Sequence, residues 1–495
     1  MNRPIVRLYA FLLLLLALLV WKTSQWSVFD AQALQDNPLN HRPLIEAQRV
    51  HRGTIKTADG VTVAYSSPVG GGAHPIYERH YPTGSLFGNP VGYAFPTVGD
   101  SGIERSENNA LIGKENEFSS IIDQLRGSTQ EGDDVTLTLN ATAQRVATDA
   151  LNSAIQSTPG SSGFGGSVVA LDPRTGAVEV MASVPGYDPN TVKDPGTLSR
   201  LNNASGSPLF NRATQSSYPP GSTMKVVTAA AALDSGKFTP NSVLSGHSPQ
   251  IIGGAPLSNA GGEEFGDIDM TTALTNSVNV YFAQVGEQIG TQTMFKYMNR
   301  FGFNADPELD YPGDQMLSSG VYAPNGTLEG PGAPIDIGRV AIGQANLTVT
   351  PMQMAEVAAA VANHGVLEKP SFVDRVTDPD ARTIRSLSPT AQSTVMSPQT
   401  ASELTTMMTH VTQEGTAAGL TVAGGITFAG KTGTAEIGDP ADGINQPWFI
   451  AFAPADNPRV AVAATIERCQ GCFGAEVAGP VATRVIDTLL SEGGG

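Results

Sequence analysis

Only two cysteines occur in 495 residues, and both lie in Glu467-Arg468-Cys469-Gln470-Gly471-Cys472. One such pair cannot build a four-cysteine zinc site. Three readings of it stay open: a structural disulfide between Cys469 and Cys472, two free thiols, or a redox pair. Gly471 gives the intervening loop freedom to close. Basic residues are also short: 29 Lys and Arg stand against 46 Asp and Glu, a formal net charge of −17. That deficit argues against non-specific nucleic-acid binding and against a polybasic membrane patch. It leaves a neutral or peptide-like substrate open. The chain is too long for one hydrophobic core and points to two or three domains.

Long apolar runs are scarce as well. The exception is Leu8 to Trp21, preceded by Arg3 and Arg7. On its own that run falls short of the roughly 20 residues a membrane span needs. Pro4-Ile5-Val6 and snorkelling of Arg7 and Lys22 would extend it, and Trp21 and Trp26 suit an interfacial belt. Positive charge before the run keeps that end in the cytoplasm and the remainder outside. A cleaved signal peptide, with Ala31-Gln32-Ala33 as a small-x-small site, is the competing reading.

What the chain does have is Ser222-Thr223-Met224-Lys225, after the break Tyr218-Pro219-Pro220-Gly221 and before the run Val226 to Leu233. The spacing predicts a helix start with Ser222 and Lys225 on one face. A serine hydroxyl is a weak nucleophile unless a base takes its proton. Lysine can be that base only when neutral, which requires burial or a cationic neighbour. Alone, the pattern reads equally well as an N-cap serine with a solvated lysine. Two further motifs change the balance. Ser277-Val278-Asn279 lies in a helical-looking stretch from Met270 to Gln288, and Lys431-Thr432-Gly433-Thr434 follows Gly424 to Gly430. Ser-x-x-Lys, Ser-x-Asn and Lys-Thr-Gly in that order are the signature of active-site serine penicillin-binding proteins and β-lactamases.

Elsewhere the pattern gives a scaffold. Arg52 to Ile55 and Asp59 to Tyr65 read as two strands around an Asp-Gly turn. Residues 30–50 read as an extended linker, and residues 66–100 as irregular. Asp134 to Asn140 reads as a strand and Ala141 to Ile155 as a helix. Gly166 to Leu171 and Ala177 to Ala182 form a hairpin around Asp172-Pro173-Arg174-Thr175-Gly176. Pro351 opens a helix, Thr400 to His410 is helical, and Lys431 to Thr434, Trp448 to Ala453 and Val460 to Ile466 are strands before a closing helix, Val477 to Leu490.

These landmarks together resemble the class B penicillin-binding proteins, the monofunctional DD-transpeptidases. Within them the chain is similar to the smaller actinobacterial type, penicillin-binding protein A. Arg52-Gly53-Thr54-Ile55, Tyr187-Asp188-Pro189-Asn190, Asn211-Arg212-Ala213 and Gly343-Gln344 with Thr350-Pro351 extend the likeness over nearly the whole chain. The resemblance implies an α+β fold: an antiparallel sheet flanked by helices, preceded by a β-rich pedestal and a membrane helix. The expected division is 1–28 anchor, 29–157 linker and non-catalytic pedestal, and 158–495 transpeptidase domain. No glycosyltransferase module is recognisable upstream, which disfavours the bifunctional class.

For chemistry, the resemblance implies that Ser222 attacks a D-Ala-D-Ala stem peptide and that β-lactams acylate the same atom. Lys225 would be the base, with repulsion from Lys431 helping to keep it neutral. Ser277 would pass a proton to the leaving amine, and Asn279 would hold both Lys225 and a substrate amide. The backbone N–H groups of Ser222 and Thr434 would form the oxyanion hole. Thr432 and Thr434 would bind the substrate carboxylate, and Gly433 would let its backbone approach. No metal or organic cofactor is implied. Partners would be the membrane and, through the N-terminal domain, division or elongation proteins. A DD-carboxypeptidase, a β-lactamase-like hydrolase and a non-enzymatic β-lactam sensor are the rival readings.

Overall fold

In a computed structural model of the chain, residues 3–25, 48–70, 75–114, 131–439 and 442–492 are described. Helix α1 (Arg3–Ser24) takes in the apolar run together with Arg3, Arg7 and Lys22. Its 22 residues reach about 33 Å at 1.5 Å each, enough for a bilayer core of ~30 Å. None of its residues is buried against the rest of the chain. Trp26, Ala31-Gln32-Ala33 and most of the expected linker lie outside the described residues.

Strands β1 (Ile55–Lys56) and β2 (Thr62–Val69) flank the expected Asp59-Gly60 turn. Strand β3 (Ile76–His80) then pairs antiparallel with β2, Val69 opposite Ile76. The stretch expected to be irregular therefore begins with a hairpin. Its strands are mostly half-buried or exposed and carry Ser66, Ser67 and Pro68, so no apolar alternation marks them. Strand β4 (Asp134–Leu137) lies parallel to β1, and α2 (Ala141–Ser157) follows, capped by Asn140 accepting from the Ala143 amide. The hairpin of β5 (Gly166–Leu171) and β6 (Val178–Val184) comes next. Far along the chain, β7 (Val373–Thr377) and β8 (Thr383–Ser386) return to the pedestal, and the six-stranded order is β8-β7-β4-β1-β2-β3. A linear boundary at 157/158 thus leaves two strands of this sheet on the far side. The return is legible only in three dimensions, because β7 and β8 have no sequence feature tying them to β4.

The second sheet is open, ordered β9-β10-β11-β5-β6, with β9 (Ala429–Glu436), β10 (Ile444–Ala453) and β11 (Val460–Ile466), all neighbours antiparallel. Every residue of β11 is buried, which requires cover on both faces. The helices that supply it, with those that carry the site, are α3 (Lys225–Asp234), α4 (Met270–Thr275), α5 (Asn279–Ile289), α6 (Pro351–Ala362), α7 (Pro398–Gln413) and α8 (Gly474–Glu492). Helices α2 and α8 pack on each other and on the sheet, α6 packs on β11 and β5, and α7 packs on β9. Helix α6 begins as expected at Pro351, with Thr350 as its cap. All of its residues are buried, and its alanines let it approach the sheet closely. Cys469 and Cys472 are joined as a disulfide just before α8.

Candidate active site

Gly221–Met224 forms one 3-10 turn, and the α-helix begins only at Lys225. The helix start is thus displaced from Ser222 by the turn that carries it. Gly221 has φ +52° and Gly343 φ +82°, a region that favours glycine. The two backbones touch: Gly221 donates to the Gly343 carbonyl at 3.2 Å, and a Cβ on Gly343 would fall 2.0 Å from the Gly221 oxygen. Trp448 Nε1 donates to the Pro219 carbonyl at 3.0 Å, and Tyr218 exchanges backbone hydrogen bonds with Val349. The turn that carries Ser222 is therefore held from three directions.

The expected continuous helix over Met270 to Gln288 is two helices. Helix α4 ends at Thr275 and α5 starts at Asn279, with Ser277 between them at φ +58°. A non-glycine residue in the left-handed region costs about 1–3 kcal/mol and persists only where its surroundings hold it. Leu274, Val278 and Phe282 are all buried at four-residue spacing across the break, so the apolar period runs through and conceals it. The break turns both the carbonyl and the hydroxyl of Ser277 toward Lys225.

Lys225 Nζ lies 2.9 Å from Ser222 Oγ, 2.6 Å from the Ser277 carbonyl, 3.2 Å from Ser277 Oγ and 2.7 Å from Asn279 Oδ1. Asn279 is oriented by donating Nδ2 to the Ser258 carbonyl at 3.1 Å. The Ser277 carbonyl and Asn279 Oδ1 can only accept. A neutral amine has two N–H bonds; with these given to the two acceptors, its lone pair is left for the hydroxyl of Ser222. Burial pushes the Lys225 amine well below the ordinary 10.5, and Lys431 adds to that. Burial and a cationic neighbour, the two conditions a neutral lysine requires, thus act together, with burial the larger. Burial brings Lys431 itself down to about 7.

Lys431 Nζ donates to Ser277 Oγ at 3.0 Å and to the Thr432 carbonyl at 3.0 Å. Ser277 Oγ thus bridges the two lysines. Lys431 lies on β9, the edge of the sheet, which packs directly on the nucleophile turn. A Cβ on Gly433 would meet the Pro220 oxygen, Thr223 Cγ2 and Trp448 Cβ, each at 2.9 Å. The protein's own turn fills the space a side chain at Gly433 would need, so packing by itself requires glycine there. Thr432 Oγ1 shares a 2.6 Å hydrogen bond with Thr416 Oγ1, and Thr434 Oγ1 accepts from the Gly474 amide at 3.3 Å. Thr434 stands opposite Pro447 on β10, and the Gly221 Cα approaches its carbonyl closely enough that a Cβ would lie at 3.0 Å.

Sequence reasoning missed Thr416, the Ser258 carbonyl, Trp448 as a hydrogen-bond donor, and Glu467. The Glu467 carboxylate accepts from Arg212 Nε, Tyr218 Oη and the Gly165 amide at 2.9, 2.8 and 2.6 Å. Tyr218 and Arg212 were visible as landmarks, but nothing in the spacing connects them to Glu467. Among the described residues no group of three or more His, Cys, Asp or Glu could hold a metal ion.

Residues 166–487 match the family model described as penicillin binding protein transpeptidase domain, and residues 52–135 match the penicillin binding protein A dimerisation domain. A peptidoglycan D,D-transpeptidase PbpA of Mycolicibacterium smegmatis is 32% identical over 100% of both chains. The PbpA of Mycobacterium tuberculosis is 31% identical over 99% of each. A solved ceftriaxone acyl-enzyme complex of M. tuberculosis penicillin-binding protein A superposes with a TM-score of 0.79 at 31% identity, covering 90% of this chain and 100% of that one. The D,D-transpeptidase domain of a peptidoglycan glycosyltransferase from Eggerthella lenta gives 0.75 at 33% identity, covering 90% and 99%.

Proposed function

This chain belongs to the penicillin-binding protein transpeptidases, of the class B PbpA-like type, and from that premise we propose that it crosslinks peptidoglycan stem peptides through an acyl-Ser222 intermediate that β-lactams trap. The observation that carries the reading is the convergence of Ser222, Ser277 and Asn279 on the amine of a fully buried lysine. Ser222 Oγ attacks the penultimate D-Ala carbonyl while its proton passes to Lys225. The C–N bond to the terminal D-Ala breaks, and that amine takes a proton through Ser277, which touches both lysines. An amine of a second stem peptide then attacks the ester, forms the crosslinking amide and returns the proton to Ser222.

The amides of Ser222 and Thr434 are the proposed oxyanion donors, each worth roughly 3 kcal/mol of barrier by analogy with other acyl-transfer sites. Lys431, with the Thr432 and Thr434 hydroxyls, is the proposed seat of the terminal carboxylate. The N-terminal residues 1–28 are read as the anchor with the amino terminus cytoplasmic, because Arg3 and Arg7 precede the apolar run. The catalytic part is then outside, where its substrate is. The pedestal is read as the surface for division or elongation partners.

The test is intact mass of the full chain in detergent after a β-lactam pulse, with Ser222→Ala in parallel. A lasting adduct on the wild type alone, and crosslinked product from stem peptides, is expected. Rapid loss of the adduct with drug turnover would instead indicate a hydrolase, and release of D-alanine without crosslinking a carboxypeptidase.

A further inference from the structure

Residues 467–474, from the end of β11 to the first residue of α8, touch both halves of the proposed acylation site. At one end Glu467 holds Tyr218 through its hydroxyl and Arg212 through Nε; Tyr218 opens the Tyr218-Pro219-Pro220-Gly221 segment that leads into Ser222. At the other end Gly474 seats against β9. Its amide donates to Thr434 Oγ1 at 3.3 Å, and a Cβ there would fall 2.4 Å from the Gly433 oxygen and 2.2 Å from the Trp448 oxygen. The strap therefore spans from the nucleophile turn to the strand that offers Thr434.

Between those ends the chain has one buried anchor. Cys469 is 0% and Cys472 5% exposed, while Phe473 is 54% exposed, and Gln470 and Gly471 are exposed too. The disulfide closes this turn. Cys469 and Gln470 pair with Asn445 and Ile444 at the start of β10, and Asn445 Nδ2 donates to the Cys472 carbonyl at 3.0 Å. The bridge thus sets how far Gly474 lies from the point where the strap leaves β10. Both sulfurs are buried, which makes them poor targets for exchange and suits a fixed spacer.

We propose that the Cys469–Cys472 disulfide is a positioning element of the acylation site, fixing the strap so that the Ser222 turn and Thr434 keep their relative placement. The proposal rests on the acyl-Ser222 reading above. The two oxyanion donors come from elements that this strap holds at its opposite ends. A shift of Gly474 is passed to Thr434 and Gly433 because no space separates them.

The experiment uses the full chain in detergent and a chromogenic cephalosporin. The acylation rate constant and the drug's dissociation constant are measured separately, beside the thermal midpoint, for wild type, Cys469→Ser/Cys472→Ser and wild type reduced with a phosphine, its thiols counted by alkylation and mass. The expected result is an acylation rate lower by at least about tenfold, because misplacing a reacting group by ~1 Å can cost ~10²-fold. Drug affinity should hold, and reoxidation of the reduced protein should restore the rate. A variant or reduced protein that melts earlier yet acylates at the wild-type rate overturns the proposal, since the bridge would then serve stability alone. Failure of both to fold overturns it likewise. Oxidised wild type that is not acylated at Ser222 overturns the transpeptidase reading and this inference with it. Normal wild-type acylation with an equally fast bridge-free protein overturns only the inference.

Discussion

Two of the places where the described residues bury cations do so under opposite terms. In the pedestal, Arg79 is 5% exposed and Glu104 0%. Burial alone would push the Glu104 carboxyl up, but Arg79 and Arg52 outweigh it and hold the carboxyl below its usual range. Both guanidiniums reach it at 2.6 Å. In the active site, Lys225 and Lys431 are each 0% exposed, and their polar partners are hydroxyl, carbonyl and amide oxygens. Without a counterion, a buried ammonium sheds its proton rather than bear the cost of desolvation. The pedestal spends its buried charge on tying β3 and the segment before β1 to the helix that carries Glu104; the active site leaves its lysines without a counterion, which suits the proposed base.

The comparison breaks most visibly at Lys225. Lys225→Met should slow acylation by about 10²–10⁴-fold, the usual contribution of a general base, measured by stopped-flow with a chromogenic cephalosporin. Its stability should change little, because regained burial of an apolar side chain offsets the roughly 1–3 kcal/mol cost of acceptors left without a donor and no ion pair is lost. The converse holds in the pedestal. Glu104→Gln leaves the buried Arg79 and the half-buried Arg52 uncompensated and should cost about 3–5 kcal/mol of stability in urea melts, while each folded molecule acylates normally. A Glu104→Gln protein as stable as wild type would remove the contrast.

Acidity sharpens it further. Lys431 falls from 10.5 to about 7 on folding. Between those values the unfolded chain binds more protons than the native one, so this residue makes stability rise with pH across that window. Below about 7 it is charged in both states and its full destabilising effect is present. Lys431→Met should flatten that rise and be stabilising at neutral pH, read from denaturant midpoints across pH. The same variant should weaken acylation by drugs that carry a carboxylate.

The smallest effect is expected at Glu356, buried in α6 with Gln353 Nε2 donating to Oε2 and no partner for Oε1. Burial and then Glu308 raise its carboxyl from 4.5 to about 8. Here the native state binds the extra proton, so stability falls as pH rises from 4.5 to about 8. Glu356→Gln should remove that slope, opposite in sign to the one Lys431 contributes.

The three motifs that converge at the candidate site were legible because Ser222, Lys225, Ser277, Asn279 and Lys431 stand in short ordered patterns. The strands of the second sheet other than β9 were legible because both faces are covered and they carry apolar runs, as in Val460–Ile466. The helix break at Ser277 was not, since the apolar spacing of Leu274, Val278 and Phe282 continues across it. Nor was the return of Val373–Thr377 and Thr383–Ser386 to the pedestal, which depends on pairing with Asp134–Leu137 far earlier in the chain. The packing of Gly433 was not legible either, because a glycine shows only that something comes close, and here Pro220 and Thr223 of the protein's own turn do so.

The central claim is that Lys225 is neutral in the resting enzyme. The most direct measurement is the Nζ resonance of Lys225 in full chain labelled with ¹⁵N-lysine, identified by its loss in Lys225→Met and followed across pH. The account predicts an amine signal at neutral pH, with the transition well below 10.5. An ammonium signal persisting into that ordinary lysine range would contradict it.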